Sequence, residues 1–143
     1  MNREQPDARA LIARHDLAPH PEGGWYRETW RATANDGERA GGTAILFLLE
    51  QGQSSHWHMV DADELWFWHA GAPIELSIGA ETLVLDAGSP QALVPAGMWQ
   101  AAHAHAGFAL VSCVVVPGFE FAGFTLAPPG WEPGQSADIS QAG

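Results

Sequence analysis

Residues 52–71 read Gly52-Gln53-Ser54-Ser55-His56-Trp57-His58-Met59-Val60-Asp61-Ala62-Asp63-Glu64-Leu65-Trp66-Phe67-Trp68-His69-Ala70-Gly71. Polar and aromatic side chains alternate here at a period of two, the period of a strand rather than a helix. His56 and His58 are two apart, so an ideal strand points both to one face. Five residues separate His58 from Glu64. That is enough for a turn that brings the chain back antiparallel and sets Glu64 opposite the histidine pair. Trp66 and Trp68 follow on the same face as large rings that exclude water, whereas parity sends His69 to the other side as a structural residue. Two imidazoles and a carboxylate converging in this way suit a zinc, manganese, nickel or iron ion.

Outward from this segment the β signal continues. Strands are predicted over 24–30, 43–49, 55–59, 64–69, 74–78, 82–85, 92–95, 99–104, 109–116 and 121–126, punctuated by Gly, Pro and Asp. Helical spacing is convincing once, where Pro6 and Asp7 can open a helix and Ala8, Leu11, Ile12 and His15 share a face. Many short strands with one short N-terminal helix make an all-β sandwich or barrel. The loop 33–42 reads as an exposed hairpin connection, and the Pro- and Gly-rich tail as ordered to Trp131 and loose beyond it. No linker interrupts the chain, so residues 1–143 form one domain with a core over about 9–132.

Composition excludes several functions. Six Lys and Arg against seventeen Asp and Glu give a net charge of −11, the wrong sign for nucleic acid or an anionic membrane surface. No apolar run reaches the length of a membrane span, and the N-terminus lacks a secretory pattern, so the expected location is cytoplasmic. The single cysteine, Cys113, lies in an apolar strand and reads as a buried structural thiol. His15 and His20 are expected at the surface.

Two further segments carry polar candidates. In residues 88–100 the Pro95-Ala96-Gly97 turn delivers Gln100, a weak neutral oxygen donor, to the start of a strand. His103 and His105 follow with the opposite parity, so either Gln100 or the two histidines face inward unless a bulge intervenes. In residues 21–30, Pro21-Glu22-Gly23-Gly24-Trp25-Tyr26-Arg27-Glu28-Thr29-Trp30, the paired glycines permit a tight turn or a close approach. Arg27 and Glu28 alternate beyond them. An inward Arg27 would anchor a carboxylate or phosphate; otherwise the two form a surface pair.

Gly52, His56, His58, Glu64 and Gly71 resemble the first cupin motif, with the first gap shorter and the histidine-to-glutamate gap longer. Gly88, Pro95 and Gly97 resemble the second, with Gln100 where that motif has histidine. Residues 20–28, 55–66, 94–101 and 117–121 are similar, in order, to the cupin-5 family, formerly a domain of unknown function. This resemblance implies a double-stranded β-helix or jelly-roll barrel, a homodimer and kinship with sugar-nucleotide epimerase-like cupins. It implies a glutamine at position 100 as a family feature, and His56 as a feature of this chain.

The expectation is a small-molecule-binding cupin, an enzyme acting in the barrel mouth on a carbohydrate-like or carboxylated ligand. His58, Glu64 and Tyr26 are its candidate catalytic groups, and Arg27, Glu28, Trp66, Trp68 and Gln100 its candidate ligand contacts. A metal-dependent alternative places one divalent ion on His56, His58, Glu64 and Gln100. A metal-free isomerase or epimerase with His58 as base, and a non-catalytic binding or storage cupin, complete the readings.

Overall fold

The computed structural model describes residues 7–134. Helix α1 (Ala8–His15) starts where the Asp7 side chain accepts the Ala10 N–H at 2.8 Å, and it ends at Asp16 in the left-handed conformation. Both are the capping devices expected of a short helix. Eleven strands follow: β1 (Ala18–Pro19), β2 (Trp25–Arg31), β3 (Thr43–Leu49), β4 (Ser54–Val60), β5 (Asp63–Gly71), β6 (Ile74–Ile78), β7 (Glu81–Leu85), β8 (Gln91–Val94), β9 (Gln100–His103), β10 (Ala109–Val116) and β11 (Phe124–Leu126). They form two antiparallel sheets, ordered β1-β2-β3-β10-β5-β8 and β11-β4-β9-β6-β7, the jelly-roll barrel that the sequence leads one to expect. No described helix is long and apolar enough to cross a membrane.

The core follows from strand alternation. Phe47, Leu49, Trp66, Val111 and Cys113 project from the first sheet toward Ile74, Leu76, Leu85 and Ala102 of the second, all of them buried. The opposite face of the first sheet seats α1, where Leu11 and Leu17 pack on Leu48 and Leu110. Beyond the helix no other described element packs on that outer face. A single register row crosses it: Trp30, Ala44, Val114, Leu65 and Leu93 lie opposite one another in turn on β2, β3, β10, β5 and β8.

Three local expectations change. Strand β1 is present where none was predicted. The strand foreseen over 121–126 splits into a 3-10 turn (Phe121–Gly123) and β11, because the segment first curls to close the aromatic group of Phe119, Phe121 and Phe124. The loop 33–42 is tied down through Arg39, which bonds both carboxylate oxygens of Asp61 and the Gly118 carbonyl. Trp131 packs between Trp57 and Trp99, with ring centroids 6.4 and 4.7 Å away. The tail expected to be loose lies, beyond residue 134, outside the described residues.

Candidate functional site

Between the sheets opens a cavity of about 580 Å³, with His20, Glu22, His58, Glu64 and Cys113 among its lining residues. Tyr26, Phe47, Trp66, Phe119 and Phe124 supply much of the wall. Such a concave, largely apolar space with a few convergent polar groups is the usual form of a small-molecule site.

His58 arrives through a strand irregularity. On β4, Ser55 and His58 are opposed by Ala102 and Gln100 of β9, three steps against two. The extra residue makes a β-bulge, which resets the alternation so that Ser55 and His58 both face inward. His56 therefore does not share the His58 face, contrary to ideal strand parity. Its Nε2–H donates to the Pro128 carbonyl at 2.9 Å, and it does not line the cavity. The His56 carbonyl in turn accepts from His58 Nδ1–H at 2.8 Å. That bond fixes the tautomer and leaves Nε2 of His58 as a proton acceptor. His58 is 2% exposed, and burial pulls its pKa down, so it is neutral near pH 7.

Glu22 reaches the same place because of the glycines that follow it. Gly23 and Gly24 have φ of 111° and 84°, and a side chain on Gly23 would lie 2.1 Å from the Ser54 carbonyl oxygen. Only glycine permits this approach. It lets the Glu22 carbonyl accept the His56 N–H at 2.7 Å and brings the Ser55 hydroxyl to donate to Glu22 Oε2. The other oxygen, Oε1, lies 3.4 Å from His20 Nδ1 and 3.7 Å from His58 Nε2. Burial pushes the Glu22 pKa up to about 8, with the Ser55 hydrogen bond pulling the other way. Glu22 thus carries its proton at neutral pH.

His20, expected at the surface, is instead buried against Tyr26 and Phe47, with centroids 4.4 and 5.8 Å away. Its Nδ1 accepts the Glu22 N–H at 3.1 Å. Burial, followed by the proximity of His58, lowers its pKa to about 4. Both imidazoles are therefore held as acceptors around one protonated carboxyl. Neither His20 nor Glu22 was singled out by spacing. The signal lay in the Gly-Gly pair, which marked a close backbone approach without saying what it approached.

Glu64 is buried and lines the cavity, but not across a ladder from His58 as expected. Strand β5 pairs with β10 and β8 in one sheet, and β4 with β11 and β9 in the other. The chain crosses between sheets at the turn, and the two residues meet in the space between them. Its pKa is raised by burial, while the Gln100 amide and the Cys113 thiol donate to it and favour the ionised form. The parity question at β9 resolves with Gln100 inward, 1% exposed. Trp66 Nε1–H donates to Gln100 Oε1 at 2.9 Å, and Gln100 Nε2–H donates to Glu64 Oε1 at 2.8 Å. His103 turns to Ser54 and His105 to Glu75. Cys113 is buried, with its thiol pKa pushed well up, as a structural thiol requires.

The remaining candidates divide. Tyr26 and Trp66 line the cavity; Trp68 does not, its Nε1–H donating to the Ala72 carbonyl at 2.9 Å. Arg27 lies opposite Leu46, which packs beneath α1, so the ladder sets it on the outer face, and it is nevertheless among the residues lining the cavity. Glu28 and, past a second bulge, Arg31 lie opposite Ile45 and Thr43 on the inner face. There Arg31 donates to both Glu28 carboxylate oxygens, at 2.9 and 2.7 Å, and to the Phe119 carbonyl at 3.1 Å.

The donors expected to hold a divalent ion do not converge. His56 faces away, and the Gln100 carbonyl oxygen is taken by Trp66, which leaves His58 and Glu64. Among the described residues no group of three His, Cys, Asp or Glu side chains is placed to hold a metal ion. The set at positions 56, 58, 64 and 100 does not fit a resident cation.

Comparison with known proteins places the fold. A protein from Shewanella oneidensis is 37% identical, with 85% of each chain covered and a TM-score of 0.77. A hypothetical protein from Leishmania major is 32% identical over 82% of this chain and 85% of its own, with a TM-score of 0.75. KdgF from a Halomonas species, 15% identical over 77% of this chain and 93% of its own, shares the fold with a TM-score of 0.62. No curated protein matches the chain significantly. The family model described as Cupin_5, cupin superfamily (DUF985), matches residues 9–127, and the chain belongs to that family.

Proposed function

We propose that this cupin is a metal-independent acid–base enzyme that isomerises or epimerises a small, carbohydrate-like ligand inside the barrel, with His58 as base and Glu22 as acid. The observation that carries the reading is their pairing: a neutral imidazole with its free nitrogen 3.7 Å from a carboxyl that keeps its proton. His58 Nε2 takes a proton from carbon beside a ligand carbonyl while the Glu22 carboxyl gives one to the carbonyl oxygen, forming an enol. The imidazolium and carboxylate so formed are adjacent and neutralise each other. In an aldose or ketose this enol is an enediol. Its second hydroxyl gives its proton to Glu22 while the former carbonyl carbon takes the proton from His58, which moves the carbonyl to the neighbouring carbon and completes the cycle. Positioned acid–base pairs of this kind contribute roughly 10²–10⁴-fold each.

The test is hydrogen exchange. Aldoses and ketoses are incubated with the protein in D₂O and followed by NMR for deuterium at the carbon beside the carbonyl. Exchange that falls by about 10²–10⁴-fold in both His58→Ala and Glu22→Gln supports the reading. Sugars that bind without exchanging would reduce the site to a binding module and overturn it.

We further propose that two copies pair through the uncovered row on the outer face. Trp30 and Leu93, at its two ends, are each 51% exposed, an unusual apolar display on so acidic a chain. Light scattering should give twice the chain mass for the native protein and the single mass for Leu93→Arg; a native monomer refutes the pairing.

A further inference from the structure

The cavity's charges are unequally matched. Five carboxyl side chains line it, those of Asp16, Glu22, Glu28, Glu64 and Glu120, against the two guanidinium groups of Arg27 and Arg31. Arg31 is engaged by Glu28, and Arg27 stands on the outer face. Among the described residues, Glu22 has ion-pair contacts with His20 and His58 alone, and Glu64 has none with an arginine. An anion held between Glu22 and Glu64 would therefore face two carboxyls to which no arginine is bonded, and burying an ion without a partner costs several kcal/mol. The same cavity is lined by the aromatic side chains of Tyr26, Phe47, Trp66, Phe119 and Phe124, a residue class whose ring faces attract cations when water is excluded. His58 Nε2, on a side chain 2% exposed, adds an unprotonated acceptor beyond hydrogen-bond reach of Glu22.

We infer that the cavity selects a ligand bearing a positive charge, a primary or quaternary ammonium group, with Glu64 as its counter-ion. Of the two floor carboxyls, Glu64 is the one prepared to ionise. It accepts the Gln100 Nε2–H at 2.8 Å, and a donor to a carboxyl favours its charged form. Glu22 Oε1 instead stands between the acceptor nitrogens of His20 and His58, which favour its protonated form. Glu22 keeps its proton for the acid–base role. The inference deepens the acid–base reading by naming the charge class of its ligand: an amino sugar would satisfy both, whereas a carboxylated sugar would satisfy the acid–base reading alone.

Pairs that differ in charge at nearly constant shape test it on the full chain: choline against 3,3-dimethylbutan-1-ol, and glucosamine against glucose, with gluconate as the anion. Titration calorimetry in two buffers of different ionisation enthalpy reads affinity and proton release together. Each cation should bind more tightly than its neutral partner by about tenfold, release a proton, and lose that advantage in Glu64→Gln. The proton release is read on the native protein and stands even if that variant fails to fold. Equal or tighter binding of the neutral or anionic members, or no binding by either cation, overturns the inference. Cation preference without deuterium exchange would leave it standing and sink the acid–base reading. Exchange of neutral sugars without cation preference would do the reverse.

Discussion

Two clusters of the same residue types face opposite sides of this barrel. Inside, Glu22 stands between His20 and His58 at 3.4 and 3.7 Å. Outside, Glu75 bonds His105 at the shorter distance of 3.1 Å, and the His103 and His105 rings touch with centroids 4.1 Å apart. By distance alone the outer cluster is the better ion pair. Yet His105 and Glu75 keep 62% and 42% of their side-chain surface, against 2% for His58 and 9% for Glu22. Water screens the first and is kept from the second. Desolvation rather than proximity is what sets the protons of the inner cluster, and so decides which cluster can do chemistry.

The sharpest way to break this contrast after His58→Ala and Glu22→Gln is at the support of the inner site. Gln100→Ala would orphan the buried Trp66 N–H and withdraw a donor from Glu64. It should cost about 3 kcal/mol in urea unfolding, as loss of partners for buried polar groups does. A cost below about 1 kcal/mol would mean that the inner network is not held by the protein.

Next in size is a pH effect. Glu22 titrates near 8 in the fold against an ordinary 4.5, so between those values the native state holds the extra proton and stability falls as pH rises. His20 titrates near 4 against 6.5 and acts in the opposite sense, with stability rising across that lower window. His20 and His58, both lowered, oppose Glu22 below pH 6.5, and above it the Glu22 effect dominates, with Glu64 raised in the same direction. Stability should drop by about 2 kcal/mol between pH 6.5 and 8, with a smaller slope in Glu22→Gln. A wild-type stability that climbs over that range contradicts the protonated carboxyl.

The smallest effect belongs to the outer cluster. His103→Ala should change stability by less than about 0.5 kcal/mol and leave ligand binding intact. A larger loss would show that the outer pair is more than a solvated face.

Much of the fold was legible because alternation is a local signal. The strands β3, β6 and β10 lie where the pattern set them, and Asp7 opens the helix it was expected to open. The site was half legible. His58, Glu64, Tyr26, Trp66, Arg27 and Glu28 line the cavity and Gln100 supports Glu64, while His56 was misplaced because parity cannot foresee register. A bulge flips every residue beyond it, and nothing in Ser55-His56-Trp57 announces one. His20 and Glu22 were hidden for a different reason. Their role comes from a loop pressed on a strand distant in sequence, and a pair of glycines records that the backbone approaches something without recording what.

The Ser55–Glu22 and Gln100–Glu64 bonds join residues 33 and 36 positions apart. In kinetic terms the site belongs to the last part of the chain's search. Loop closure must precede contacts between such distant residues, and folds dominated by them reach the native state in milliseconds to seconds rather than microseconds. No single hairpin contains the acid, the base and their supports. Activity, once assayed, will therefore report complete folding rather than local structure, and its recovery after dilution from denaturant should trail the appearance of β-sheet.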